Sequence, residues 1–211
     1  MKKSIFITLA IFISVTCFGQ NKKAEILLKN LIKETTSYKA VETEISIKME
    51  NSEAGINETK SGKIFFSGNK YRIELPGQYI ISDGKTVWTY IEDDEEVMIN
   101  NVEKEENSFS ITNILTSYND NYNIKYGGQE TIKNEKYEII DLAPKTDNNL
   151  KLIQLYVSSS PLRVKEVKSH DKNGSIYIYQ IKKFIPLSSF KDSLFTFSEK
   201  EFPNVEVNDM R

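Results

Sequence analysis

The sequence predicts a mainly β fold with helices (α+β), in which one antiparallel sheet of about ten or eleven short strands follows an N-terminal helix. Two observations favour this class. Over most of the 211 residues, stretches with an apolar residue at every second position alternate with turn-forming residues. The composition, 39% hydrophobic and 27% charged, is that of one globular domain with a real core.

The N-terminus is typical of a secretory signal peptide. Two lysines precede an apolar run that is too short to span a bilayer well, and a small residue, Gly19, ends it. We expect residues 1–19 to be removed, with the cut after Gly19 or Gln20, and residues 20–211 to form a single domain. The alternative is a lipoprotein signal in which Cys17 carries the lipid. In either case no cysteine remains for a disulfide within the domain.

The first element of the domain is an amphipathic helix. Its apolar residues recur at spacings of three and four, and they are Ala24, Leu27, Leu28, Leu31 and Ile32. We expect this helix to dock on a sheet rather than to lie free on a membrane. A second, short helix is predicted within Ser108–Tyr118, where the apolar residues are Phe109, Ile111, Ile114 and Leu115.

Between and after these helices the apolar pattern has a period of two. The long strand Val41–Met49 alternates apolar residues with charged and polar ones, so one of its faces is solvated. Two short strands, Leu194–Phe197 and Val205–Val207, are predicted to end the chain. No internal repeat or domain boundary interrupts the series.

One strand carries large apolar side chains on both of its faces. After the Asp83-Gly84 turn, Trp88 and Tyr90 share one face, and Val87 and Ile91 share the other. A strand of this kind needs an apolar cover on each side. Because a sheet of many strands tends to curl, we expect a concave side that is larger than one short helix fills.

Few residues indicate catalysis. The net charge of -2, with no basic stripe, gives no reason to expect nucleic acid. The single histidine, His170, falls in the predicted turn Ser169–Gly174, and no second histidine is available for a metal site. No glycine-rich phosphate-binding loop occurs. We therefore expect a binding protein without cofactor or metal, with an enzyme of unknown reaction as a less favoured alternative.

Three segments in order carry a resemblance to a known family. They are SDGKTVWTY (Ser82–Tyr90), an Asp-Gly turn before a Trp-x-Tyr strand; DLAPKTDNNLKLIQLYV (Asp141–Val157), a Leu-x-Pro-Lys segment before an apolar strand; and the ending FTFSEKEFPNVEVNDMR (Phe195–Arg211). In order and spacing they resemble the LolA family, the periplasmic carriers of outer-membrane lipoproteins. The resemblance covers essentially the whole mature chain.

The resemblance implies an incomplete antiparallel β-barrel, closed by the N-terminal helix and a short lid helix around an apolar cavity. One face of the strand that contains Trp88 would then line a lipid cavity. We predict cavity contacts at Tyr71, Ile73, Trp88 and Tyr90, and a lid that includes Ile111, Ile114 and Leu115. For each of these residues, ordinary core packing is the competing interpretation.

The resemblance also implies partners and a location. The protein would work as a monomer in the periplasm of a Gram-negative bacterium. It would take acylated lipoproteins from an ABC-type release complex in the inner membrane and deliver them to the outer membrane, to a LolB-type acceptor or to the membrane directly. A lipid-binding sensor, or a LolB-like receptor anchored in the outer membrane through Cys17, stays open as an alternative.

The sequence departs from the family at one position. Family members often carry a basic residue followed by proline just before the segment that matches Tyr71–Leu75, and in such members the arginine helps to hold the lid shut. Ser67-Gly68-Asn69 occupies that place here. Arg72 lies within the strand itself and is a weak candidate to replace the missing arginine.

Overall fold

Within residues 12–102, 121–147 and 149–211, which the computed structural model describes, twelve strands form one open sheet beside a long helix. Side chains are described from Asn21 onward. The elements are α1 (Phe12–Ser37), β1 (Ala40–Asn51), β2 (Ile56–Ser67), β3 (Lys70–Leu75), β4 (Gln78–Ser82), β5 (Thr86–Ile91), β6 (Glu96–Asn101), β7 (Tyr122–Ile132), β8 (Glu135–Pro144), β9 (Leu150–Ser159), β10 (Leu162–Asp171), β11 (Ile176–Leu187), a 3-10 helix (Asp192–Phe195) and β12 (Glu206–Asp209). The predicted class is confirmed, and the sheet is not a closed barrel.

The sheet consists of two meanders that meet at its centre. Strands β1 to β6 pair in chain order, strands β7 to β11 do the same, and β1 pairs with β11. The pairs are antiparallel except that β12 lies parallel to β6 at one edge. Strand β7 forms the opposite edge. The connection from β6 to β7, which contains residues 103–120, therefore joins the two sides of the open sheet.

Asp83 explains why the hairpin between β4 and β5 turns where it does. Its carboxylate oxygen accepts hydrogen bonds from the backbone N–H groups of Lys85 and Thr86, both at 2.8 Å. Gly84 adopts a φ of 92°, which glycine tolerates without steric cost. This turn fixes the register of β4 against β5, so that Ile81 lies opposite Trp88.

The helix α1 packs on one half of the sheet. Ala24, Leu28 and Leu31 are fully buried, and they form one core cluster with Ile140, Leu142, Ile153, Leu155, Val157, Val164 and Val167 of β8, β9 and β10. Ala24, Leu28 and Leu31 follow the predicted cleavage site at Gly19 or Gln20. The backbone of α1 begins at Phe12, inside the predicted signal peptide, and residues 1–11 lie outside the described part of the chain.

Pairing across the sheet defines its two faces, because residues directly opposite each other in neighbouring strands point to the same side. We call the face covered by α1 the inner face. It continues through Ile45 and Thr43 of β1 to a row formed by Ile64, Ile73, Ile80, Thr89 and Met98. The outer face carries the row Phe65, Arg72, Ile81, Trp88 and Ile99.

The end of the chain differs from its prediction. A 3-10 helix and extended chain replace the strand predicted at Leu194–Phe197, and the last strand is Glu206–Asp209. Phe195 is only 1% exposed and lies edge-on to Phe190, with ring centroids 5.4 Å apart. The burial of Phe195 holds this segment across the sheet, whereas an added strand would lie at the edge.

Candidate functional site

The outer face of β3 to β6 is covered by the end of the chain. We call residues 188–205, between β11 and β12, the C-terminal strap. Phe202 of the strap is 6% exposed, and its ring centroid lies 5.0 Å from that of Tyr79 on β4 and 4.5 Å from that of Tyr90 on β5. Beneath this cover Ile81 and Val97 are fully buried. The strap is therefore one of the two covers that the apolar strand β5 requires.

A buried arginine fastens the strap to β3. Arg72 is 4% exposed, and its Nε donates to Oε1 of Glu74 at 2.7 Å. Its two terminal nitrogens donate to the carboxylate of Glu201 on the strap, Nη1 at 3.2 Å from Oε2. Burial disfavours the charged guanidinium, but hydrogen bonds to Glu201 and Glu74 outweigh it, so the pKa of Arg72 is raised. Arg72 thus binds the strap on the outer face of the sheet.

A mainly apolar row crosses the inner face of the same strands and is only partly covered. In the row Ile64, Ile73, Ile80, Thr89 and Met98, every side chain is half-buried and none is charged. Helix α1 lies over the other half of the sheet, where its core cluster draws on β8 to β10. The row is the strongest candidate in the described structure for a surface that binds an apolar ligand.

The predicted cavity residues fall on two different faces. Tyr71 and Ile73 point to the inner face, where Ile73 lies opposite Ile80. Trp88 and Tyr90 point to the outer face, opposite Ile81 and Tyr79, under the strap. The structure therefore brings Tyr71 and Ile73 together and places the other two on the far side of the sheet. The predicted lid residues, Ile111, Ile114 and Leu115, lie outside the described residues.

Sequence reasoning did not select Ile64, Ile80 or Met98. The signal for Ile80 was present, because the turn at Pro76-Gly77 sets the register of the hairpin and places Ile80 opposite Ile73. The same kind of signal was present for Ile64 and Met98, because the turn at Gly68-Asn69 places Ile64 opposite Ile73 and the turn at residues 92–95 places Met98 opposite Thr89.

A polar contact anchors the first helix to the edge of the sheet. Nζ of Lys23 donates to the hydroxyl oxygen of Tyr126 and to Oε2 of Glu138, both at 2.8 Å. Burial alone would raise the pKa of the Glu138 carboxyl, but hydrogen bonds from Lys23, Tyr126 and Gln129 hold that pKa below its ordinary value. Lys23 follows the predicted cleavage site, so cleavage there would leave this anchor intact.

Replacing Glu138 with glutamine is expected to lower the melting temperature near neutral pH. The difference in melting temperature from the parent should decrease as the pH falls. Because the pKa of Glu138 is lower in the folded state, its stabilisation is complete above its unfolded-state pKa of about 4.3 and is lost as the pH falls through the folded value. Thermal unfolding of both proteins between about pH 7 and pH 3 checks this. Glu130→Gln, on the exposed neighbouring strand, is the control, and a difference that grows in acid would contradict the prediction.

The described residues do not assemble a group that could bind a metal ion. Nowhere in residues 12–102, 121–147 and 149–211 do three His, Cys, Asp or Glu side chains form a group that could hold a metal ion. His170 lies in β10 rather than in the predicted turn, and its Nε2 is 3.0 Å from Oε1 of Gln154. Burial lowers its pKa, so the imidazole is neutral at pH 7.

Among the residues that the structure describes, no helix has the length and hydropathy needed to cross a bilayer.

Comparison with solved structures finds similar chains of low sequence identity. An uncharacterised conserved protein from Thermus thermophilus is 11% identical, with a TM-score of 0.59 over 89% of this chain and 99% of its own. A DUF1329 family protein from Desulfovibrio piger is 12% identical, with a TM-score of 0.52 over 84% of this chain and 97% of its own. A LolA superfamily protein from Nitrosomonas europaea is 13% identical, with a TM-score of 0.49 over 82% of this chain and 97% of its own.

Sequence comparison gives the family. No curated protein sequence matches this chain. The family model described as "Outer membrane lipoprotein carrier protein LolA" matches residues 48–198. The match runs from the end of β1 to the strap, so it includes β2 to β11, the inner row and the 3-10 helix. The chain therefore belongs to the LolA family.

Proposed function

We propose that the protein is a carrier that binds the acyl chains of lipoproteins released from the inner membrane, crosses the periplasm, and delivers them to the outer membrane. The observation that supports this most directly is the half-buried apolar row on the inner face of β2 to β6. Membership of the LolA family supports the same role. The protein would act by binding and not as an enzyme.

The energetics of acyl binding require a surface that holds its ligand incompletely. Each buried methylene contributes about 0.8 kcal/mol, so one chain of ~15 methylenes would contribute about 12 kcal/mol. Two or three fully buried chains would exceed the practical limit of roughly 18 to 21 kcal/mol for non-covalent binding. A carrier has to release its cargo. An open sheet that buries each chain in part meets that need better than a closed barrel.

A lid that competes with the ligand would lower the net affinity further. Residues 103–120 link β6 to β7, and these strands lie at opposite sides of the open sheet. A lid in this connection, as predicted from Ile111, Ile114 and Leu115, would contact the inner face when the protein is empty and would be displaced on loading. The lost lid contacts would favour transfer to a more apolar acceptor without ATP at this step.

The proposed partners are those of a carrier cycle. An ABC-type release complex in the inner membrane would load the protein, and a LolB-type acceptor or the outer membrane itself would receive the lipoprotein. The alternatives, a lipid-binding sensor or an anchored receptor, both keep the same surface. Mass spectrometry of the mature N-terminus separates the carrier from the anchored receptor, since a lipid on Cys17 would contradict a freely diffusing carrier.

Photo-cross-linking at two paired strands tests the proposed surface. A photoreactive residue at position 80 would face inward, and one at position 88, on the neighbouring strand, would face outward under the strap. With a triacylated lipopeptide as probe, we expect capture at position 80 and none at position 88. Capture at 88 alone, or at neither site while binding persists, would contradict the inner-face assignment.

Substitution of the row gives a second measure of the same surface. Ile73→Ser and Ile80→Ser should each weaken lipopeptide binding about tenfold, because each removes apolar contact worth about 1.4 kcal/mol or more. Thr59→Ser on the exposed end of β2 is the control and should leave the affinity unchanged. Fluorescence titration with a labelled lipopeptide measures the affinity of each variant. Equal affinities for all three variants and the parent would reject the proposed function.

A further inference from the structure

The two halves of the sheet are stabilised from opposite sides. Helix α1 packs on the inner face of β8 to β10, and the C-terminal strap packs on the outer face of β3 to β5. The half of the sheet that carries the proposed lipid row is therefore covered on its outer face, by the strap. Whatever holds the strap in place also holds the strands whose inner side chains form that row.

The backbone of the strap is too long to constrain the sheet by itself. From β11, where the strap begins, to β12, where it ends, the strands span about 34 Å at ~4.8 Å per strand spacing. Residues 188–205 could extend to about 60 Å. The strap is thus longer than the distance it spans, so its side-chain contacts determine how closely it follows the sheet.

At β3, packing alone does not hold the strap. A cleft of about 460 Å³ separates the two, and it is lined by Arg72, Glu74, Leu187, Ser189, Phe190, Lys191, Ser193, Leu194 and Glu201. Two ion pairs bridge this cleft. Lys70 Nζ lies 3.2 Å from Oδ1 of Asp192, an exposed pair, whereas the guanidinium of Arg72 is buried and binds both carboxylate oxygens of Glu201. The Glu201 side chain is 45% exposed, but a bidentate pair to a buried guanidinium is still stronger than a single exposed contact.

Arg72 lies between two residues of the inner face. Along β3, Tyr71 and Ile73 point inward and Arg72 points outward, since side chains alternate on a strand. Any shift of β3 that separates Arg72 from Glu201 therefore also moves Tyr71 and Ile73. The ion pair and the proposed lipid surface therefore involve opposite faces of the same strand, β3.

We propose that Arg72 and Glu201 form a clasp on the outer face that limits the opening of β3 to β6 and thereby sets how long the inner face retains an acyl chain. Arg72 is a positioning residue in this scheme, because it acts through β3 and does not touch the ligand. The part that concerns acyl chains rests on the proposed carrier function. With the clasp broken, the strands of this half open more often and the ligand leaves faster.

Hydrogen exchange and lipid release, measured on the same variants, test the clasp. Glu201→Gln removes the charge at nearly constant size, Glu201→Asp retains it, and Glu199→Gln changes an exposed glutamate on the same strap as control. Without lipid, Glu201→Gln should raise amide exchange severalfold in β3 to β6 and leave β8 to β10 unchanged. Release of a triacylated lipopeptide should become about tenfold faster, with Glu201→Asp close to the parent and Glu199→Gln equal to it.

The two readouts separate the clasp from the carrier role. Unchanged exchange in β3 to β6, or exchange that rises equally across the whole sheet, would overturn the clasp. Faster exchange with an unchanged release rate would overturn its link to the lipid surface. A parent protein that does not bind the lipopeptide would overturn the proposed function and the lipid part of this inference, while the exchange data would still decide whether the clasp exists.

Discussion

Replacing Leu28 with alanine is expected to reduce the free energy of unfolding by about 2–5 kcal/mol. Leu28 is fully buried in the cluster that joins α1 to β8, β9 and β10, so the shorter side chain leaves a cavity that its neighbours cannot fill. A loss of this size is a large part of the 5–15 kcal/mol that stabilises an ordinary domain, as roughly estimated for folded proteins. Urea unfolding followed by circular dichroism measures it.

Ile26 provides a matched control on the same helix. It is 51% exposed, so Ile26→Ala should change the free energy of unfolding by no more than about 0.5 kcal/mol. Similar losses for both variants would contradict docking as the cause, and intrinsic helix stability would not explain them, because alanine has the highest helix propensity. A large loss for Leu28→Ala alone identifies docking on the sheet as the cause.

Replacing Gly62 with alanine is the second substitution for which we expect a large effect, a loss of about 3 kcal/mol. A Cβ at position 62 would lie 2.2 Å from the backbone oxygen of Glu74 and 2.6 Å from Cδ2 of Leu75. Since the nearest obstacle is backbone, β2 and β3 would have to separate where β3 ends. Urea unfolding and hydrogen exchange of β3 measure the loss.

Gly55 distinguishes a steric clash from a loss of glycine's conformational freedom. Its Cβ would meet nothing within 4 Å, but its φ of 66° is unfavourable for other residues. Gly55→Ala should therefore cost about 1 kcal/mol, less than Gly62→Ala. A cost for Gly62→Ala that does not exceed the cost for Gly55→Ala would show that the strands adjust to the added methyl group.

The strands and their alternation were predictable because each depends on residues close in sequence. The pattern around Trp88 correctly indicated two apolar faces, and the turn chemistry of Asp83-Gly84 correctly placed the hairpin. The docked helix followed from its apolar stripe, in which Leu28 and Leu31 are fully buried. These features need no knowledge of strand order.

The face that looks inward was not predictable in this way. Alternation shows that Tyr90 and Ile91 lie on opposite sides, but it does not say which side meets α1. The strap was missed for a related reason. Phe195 and Phe202 belong to a polar segment and cover the outer face through contacts with strands more than a hundred residues earlier, Tyr79 and Tyr90 among them. Four phenylalanines within residues 190–202 were the available signal.

The pairing of β1 with β11 has a consequence for how the chain folds. Each meander can form from neighbouring hairpins, but the central seam joins Ala40 to Leu187, near the two ends of the strand series. Closing so long a loop is slow, because its entropy is lost before the contacts that compensate for it are made. Assembly of the whole sheet must therefore wait until nearly the entire polypeptide is available, and the two meanders meet last.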